Sequence, residues 1–240
     1  MNPLENVSYE NTLDPPGRIA VVGAGPLGIE AALYGRFLGY EVTVFEKGQI
    51  GQSLRKRLDD PLSMLPDRCL SPLAVSALKA HDGGLAMPGD PTFPMTTGQW
   101  VTSGLARLAS TDLLLDRVLT EHEVIAVSTC EETADDVLDD DDDETYIDGE
   151  VPPDFRLSIH HQQETVSFEC EAVIFAIGHA CDDSIVNFST LATAPYLFRI
   201  GQRDFGGEEE TLHHGWHEIV RIFAMLGGRQ GLDLYRPIRS

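Results

Sequence analysis

The residues of this chain whose types and spacing can do chemistry are three glycines and one carboxylate. In the stretch AVVGAGPLG, Gly23, Gly25 and Gly28 follow an apolar run, and Pro26 and Leu27 complete the turn between them. A buried strand that passes into such a turn at the start of a helix brings backbone N–H groups and the positive end of the helix dipole to a diphosphate. Glu46 stands 23 residues beyond Gly23, with Lys47 beside it. At the end of a second strand, its carboxylate can accept hydrogen bonds from both ribose hydroxyls of an adenosine half. It also repels a 2'-phosphate, which disfavours NADP at this position. A GxGxxG pattern alone is weak; the placed carboxylate is what gives it weight.

The flanking elements must hold this loop. Residues 18–22 read as a strand, 23–28 as the turn, 29–38 as a helix stopped by Gly39, and 41–45 as the second strand, a complete βαβ opening. Gly35 departs from the usual pattern, where a larger apolar residue is common. Residues 1–17 read as a polar leader. Residues 52–112, rich in Pro and Gly, read as a cap-like segment with helical patches near 73–80 and 99–108. Short strands are expected at 113–118, 123–129, 155–160 and 165–170, the last two with the period-two alternation of antiparallel strands that keep one face in water. Residues 172–178 (AVIFAIG) and 196–201 (YLFRIG) read as buried parallel strands. Residues 211–226 read as a final helix with Ile219, Ile222, Phe223 and Leu226 on one face. The expected architecture is α/β: a Rossmann-like parallel sheet, a small antiparallel meander and a helical cap region, in one domain over 18–230 with a tail at 231–240.

Composition bounds the partners. The net charge of −22 over 240 residues opposes nucleic acid and anionic lipid. Residues 131–150 hold twelve acidic residues and no basic one, and without them the net charge falls to −10. They lack the spacing and glycine of an EF-hand, so a solvated, disordered loop is expected rather than a calcium site. Cys69, Cys130, Cys170 and Cys181 show no CxxC spacing, which removes zinc and dithiol redox sites. No run nears the roughly 18 apolar residues of a spanning helix. The N-terminus has no basic n-region or apolar h-region, so a cytoplasmic protein is expected, with a small molecule as its substrate.

The stretch VVGAGPLGIEAALYGRFLGYEVTVFEKG resembles the FAD-binding opening of the two-dinucleotide-binding flavoproteins, in particular the flavin-containing monooxygenase-like and pyridine-nucleotide-dependent oxidoreductases. EVIAV is similar to the strand that leads from their cofactor into the meander, and Val124 matches the position whose backbone meets adenine. CEAVIFAIGHA resembles their returning strand, ending at Gly178. PYLFRIGQRDF resembles their closing strand and loop, with Gly201 and Gln202, before a flavin-facing helix. The resemblance implies FAD at Gly23, Gly25 and Gly28, Glu46 on its ribose, and the backbone around Gly51, Gln52 and Ser53 beside the flavin. It supplies no catalytic acid or nucleophile.

The chain also departs from that family. Between Gly178 and Tyr196 a nicotinamide-binding domain is usual, but only 17 residues stand here, against about 30 for one βαβ unit. NAD(P)H therefore has no visible domain, and electrons are expected from weakly held NAD(P)H or a separate reductase. Gln202 occupies the place of a common aspartate, with Asp204 two residues on. Glu208, Glu209 and Glu210 lie at the approach to the last helix, where they oppose an anionic flavin, with Arg203 as a partial offset; a flavin harder to reduce is the expectation. Ser53, Arg55, Lys56 and Arg57 read either as polar groups beside the flavin or as a solvated face. His213, His214 and His217 share a helix turn without an evident third ligand, so no metal is expected. Three functions follow: an FAD-dependent oxidoreductase, a non-catalytic dinucleotide-binding module, and, with less support, an NAD-dependent dehydrogenase.

Overall fold

In the computed structural model, which describes residues 12–83, 92–130, 155–178, 194–202 and 206–236, strand alternation decides the layering. Strand β1 (Arg18–Val22) turns Ile19 and Val21 to one face and Ala20 and Val22 to the other. It pairs in parallel with β2 (Glu41–Glu46) on one side and with β7 (Ala172–Phe175) on the other. The outer neighbours are β3 (Val118–Thr120) and β8 (Leu197–Arg199), giving the order β3-β2-β1-β7-β8. The chain steps outward from β1 to β3 and then returns to the opposite side of β1. The strand order therefore reverses between β1 and β7, which opens a crevice at their carboxyl ends.

Antiparallel strands β4 (Glu123–Thr129), β5 (Phe155–His161) and β6 (Glu164–Cys170) form the meander. Its Val124, Val127, Phe155, Leu157 and Ile159 pack on the Ala20, Val22, Phe45, Val173 and Phe175 face of the sheet. The opposite face is covered by α1 (Pro26–Phe37) and α5 (Glu208–Leu226), where Ile219, Ile222, Phe223 and Leu226 are buried as their spacing predicts. Gly35 has its explanation here. A Cβ on it would stand 2.9 Å from the Phe223 ring and 2.8 Å from Val42, so glycine lets α5 lay an aromatic side chain directly on α1, where Phe223 stacks on Tyr34.

The segment after β2 carries α2 (Pro72–Asp82), α3 (Thr97–Trp100) and α4 (Ala106–Ala109), the last two joined through a π-helical turn, Val101–Leu105. Ser71 caps α2, and Thr96 with Gln99 forms a capping box on α3. Met64, Leu70, Leu73, Leu78 and Trp100 join the same core as α1.

Several local expectations shift. Helix α1 begins at Pro26, before residue 29, because proline suits a first turn whose N–H groups have no helical partner. Residues 113–117 are turns rather than strand: Thr111 O accepts from Leu114 and Leu115 N–H, and Asp116 takes φ 61°. Of that apolar run Leu114 is buried in the core, Leu113 packs against it in part and Leu115 is exposed. Within the expected leader, Leu13 is buried, its N–H bonded to Leu226 O and its carbonyl to Tyr40 Oη. Within the expected tail, Leu234 N–H donates to Tyr34 Oη. The acidic stretch 131–150, Cys181, Arg203 and Asp204 lie outside the described residues. No helix among the described residues is long and apolar enough to cross a membrane.

Candidate dinucleotide-binding site

The three glycines of the loop answer to three different constraints. Gly23 takes φ +103°, with its N–H on Phe45 O at 2.8 Å, and a Cβ on it would stand 2.9 Å from Ala176 O. Gly28 lies so close under the loop that a Cβ would reach 1.9 Å from Gly23 O. Gly25 is different: it caps α1 at φ −77°, a conformation open to any residue, and a Cβ there meets nothing within 4 Å. Nothing inside the protein demands glycine at position 25. The open space beside its backbone is a cradle that a side chain would fill, and it lies at the N-terminus of a 12-residue helix with no side-chain cap and no acidic residue in its first turn. That combination suits a diphosphate.

Glu46 is 7% exposed and closes the other end of the loop. One carboxylate oxygen accepts the Ala24 N–H at 2.8 Å and the other the Gly48 N–H at 2.9 Å. Each oxygen retains a second lone pair, which is the capacity that two ribose hydroxyls require. Glu46 thus shapes the loop from below through both oxygens. Lys47 beside it is exposed.

The remaining expected residues fall around the same strand ends with different roles. The Gly51 N–H donates to Ala24 O at 2.9 Å, tying the segment after β2 to the glycine loop. Gln52 and Ser53 are exposed; the Gln52 Oε1 accepts the Gln49 N–H at 3.0 Å, and Ser53 precedes the 3₁₀ turn Leu54–Arg57. Val124 is buried, and the β4–β5 register shifts between it and Ala126, a bulge that leaves Ile125 exposed. Gly178 and Gly201 both take positive φ, and a Cβ on Gly178 would lie 3.8 Å from Gly201 O. Gln202, next to Gly201, is half-buried. The Leu27 side chain points away from the loop: its Cδ atoms fill the places that a Cβ on Gly201 or Gly215 would take.

Two contacts were not foreseen from the residues. Glu218, one turn beyond His214 in HHGWHE, accepts the Gly201 N–H at 2.9 Å and faces His214 Nε2 at 3.4 Å. Among the described residues no group of three metal-type side chains forms. Glu208 reaches the cap: Arg57 pairs with one oxygen, while the Ser63 N–H and hydroxyl donate to the other at 2.9 and 3.0 Å. Burial pushes this carboxyl up, but the Ser63 and Arg57 donors outweigh it and hold it below its ordinary value. Arg68 pairs with Glu209 at 3.3 Å. The first-turn carboxylates of α5 are thus partly compensated by cap cations, which reduces their opposition to an anion at the helix end. Cys69 and Cys170 are buried, and burial pushes both thiols up to about 12, so neither is a ready nucleophile.

Comparison with known proteins gives the fold. No protein-family model and no curated protein matches this sequence. Among solved structures, THI4 from Thermovibrio ammonificans is similar at 14% identity with a TM-score of 0.52, over 88% of this chain and 90% of that one. Bacillithiol disulfide reductase from Bacillus cereus is similar at 14% identity and a TM-score of 0.47, over 68% of this chain and 40% of that one. OTEMO in complex with FAD and NADP is similar at 17% identity and a TM-score of 0.44, over 69% and 26%. The chain spans well under half the length of the last two. The likeness at this identity shows the fold: a Rossmann-like α/β architecture, with the five-stranded parallel sheet and the three-stranded antiparallel meander described above.

Proposed function

We propose that this chain holds FAD along the crevice between β1 and β7 and is an FAD-dependent, monooxygenase-like oxidoreductase acting on a small organic substrate. The observation that carries the reading is Gly25, a glycine that the fold itself does not need, open at the N-terminus of α1 and flanked by the buried Glu46. The α1 N-terminus and the backbone of Gly23–Gly28 would hold the diphosphate, and Glu46 the ribose. Gly51 with Gln52 and Ser53 would lie beside the flavin, with Gly178, Gly201 and Gln202 at its far side. A flavin supplies the hydride and electron chemistry when bound. The chain's own part is to position it and set the charge around it, through Glu218 fixing Gly201 and through Arg57 and Arg68 compensating the α5 carboxylates.

A second reading has its own support. The 17 residues between Gly178 and Tyr196 are too few for a nicotinamide domain, which favours a holder of FAD that performs no turnover. Anaerobic titration of the FAD-loaded protein, first with NADPH and NADH and then with dithionite, separates the two. Bleaching of the flavin by a nicotinamide donor supports the enzyme. A flavin that only dithionite reduces supports a separate reductase as donor, and one that neither reduces supports the holder.

A further inference from the structure

Residues 52–61 form a run in which no residue is buried, set between Gly51 and Leu62, which both are. Gly51 turns the chain with φ +67° and is fixed by its N–H on Ala24 O. The hydrogen bonds that follow are local: Leu54 N–H and Arg55 N–H reach back to Gly51 O, and Arg55 Nε donates to Ile50 O at 3.1 Å. Leu54 packs only in part against the core, and Leu58 is exposed. On the cap side the Gly98 N–H of α3 donates to Leu58 O at 2.8 Å. A segment with so little buried apolar surface opens locally at low cost. The Arg57–Glu208 ion pair ties this strap to α5. Just beyond the run, the Ser63 N–H and hydroxyl reinforce the tie on the other oxygen of Glu208.

That ion pair closes a ring of contacts around the N-terminus of α1. On one flank Ala24 O holds the Gly51 N–H; on the other, the Leu27 side chain fills the space beside Gly215 of α5. Arg57 stands six residues beyond Gly51, and Glu208 seven before Gly215 in the same helix. The cradle at Gly25 therefore lies within a ring whose last link is a partly exposed ion pair, its two side chains 45% and 23% exposed. Stability alone is served better by apolar burial, which is how Leu62, Met64 and Leu70 fasten the residues that follow. A charge pair in contact with water holds weakly, releases readily and is screened by salt.

We propose that residues 52–61 are a gate over the cradle, latched by Glu208 on Arg57 and Ser63, and that the latch sets how fast a dinucleotide enters and leaves rather than how tightly it is held. The inference rests on the reading of the crevice as a dinucleotide site. Stopped-flow mixing with FAD and dilution of the loaded protein, both followed by flavin fluorescence, give the two rates for wild type, Glu208→Ala and Arg57→Gln. In each variant association and dissociation should rise together, by about fivefold, with Kd changed by less than about twofold. Charge acting alone gives a different pattern. FAD is an anion, so loss of Arg57 would slow association, and loss of Glu208 would slow dissociation. Rates that move in opposite directions, that move singly or that stay at wild-type values overturn the gate. Trypsin nicking at Arg55 and Lys56 in the ligand-free protein reads the latch without FAD. From about 50 mM to about 500 mM NaCl, nicking of wild type should climb toward that of Glu208→Ala. A ratio between the two that salt leaves unchanged overturns the latch. A protein that binds no FAD but shows salt-dependent nicking overturns the dinucleotide reading, and the gate with it, while the latch stands.

Discussion

Glu30 allows a sharp test of how the site's scaffold is held. It lies in the middle of α1, 3% exposed, where its carboxyl accepts the Ser71 N–H at 3.1 Å and the Ser71 hydroxyl at 2.8 Å. Ser71 in turn caps α2, so this carboxyl joins the cap segment to α1. Burial raises it from an ordinary value of 4.5 to about 7, and the Ser71 hydrogen bonds only partly counter that. A shift of this size favours the neutral acid in the folded state by about 3 kcal/mol. The folded protein therefore holds a proton that the unfolded chain releases between about pH 4.5 and pH 7. This contribution is complete below that window, shrinks as pH rises through it, and is absent above it. Glu30→Gln, an isostere of the neutral acid, removes the dependence. Melting curves of wild type and variant should nearly coincide at pH 5. At pH 8 the variant should be more stable by up to about 3 kcal/mol, or roughly 6–12 °C in a chain of this size. A difference that is the same at both pH values, or a variant less stable at pH 8, would refute the claim that Glu30 is a buried neutral acid.

The loop and its surroundings yield further expectations. Gly25→Ala should melt like wild type but bind FAD at least about tenfold more weakly, because its Cβ fills only ligand space. Gly28→Ala puts a Cβ 1.9 Å from a backbone oxygen and should cost more than about 4 kcal/mol in denaturant unfolding. Glu46→Ala strips the Ala24 and Gly48 N–H groups of their acceptor; unfolding should show a loss of about 1–3 kcal/mol, and equilibrium dialysis a weaker hold on FAD, with Glu46→Gln milder on both counts. Glu208→Ala should change stability by less than about 1 kcal/mol, since its pairs are partly exposed. The same change should speed trypsin cleavage at Arg55, Lys56 and Arg57, because Ser63 and Arg57 lose their tie to α5.

The parts of this fold legible in the sequence are those fixed by local chemistry. The glycine spacing, the Gly39 stop with φ +96° and the alternation of β5 each follow from backbone sterics or from one-sided burial, and a sequence displays both. The faces of α5 were legible for the same reason. What escaped was set by contacts between distant segments. Gly35 looked anomalous until Phe223, from the far end of the chain, was found in its place. Glu30 carries no sign of its role in the sequence, because its partner Ser71 lies 41 positions away. The apolar residues 113–115 suggested a strand, yet the carbonyl of Thr111 turned them instead. Within the site, Gly23, Gly25, Gly28 and Glu46 were visible as a motif. The ties of Gly51 to Ala24, Glu218 to Gly201 and Glu208 to Ser63 carry no local signature, since each joins segments far apart in sequence and uses a backbone N–H that any residue but proline supplies.

The measurement that bears most directly on the central claim is the visible absorbance spectrum of the purified protein after incubation with FAD or with FMN and removal of free ligand, with any released cofactor identified by mass. The account predicts flavin bands at one FAD per chain and none retained from FMN, because FMN lacks the adenosine monophosphate half and so offers the Gly23–Gly28 loop only one phosphate and Glu46 no ribose. A protein that stays colourless with FAD, or that retains FMN equally well, would contradict it.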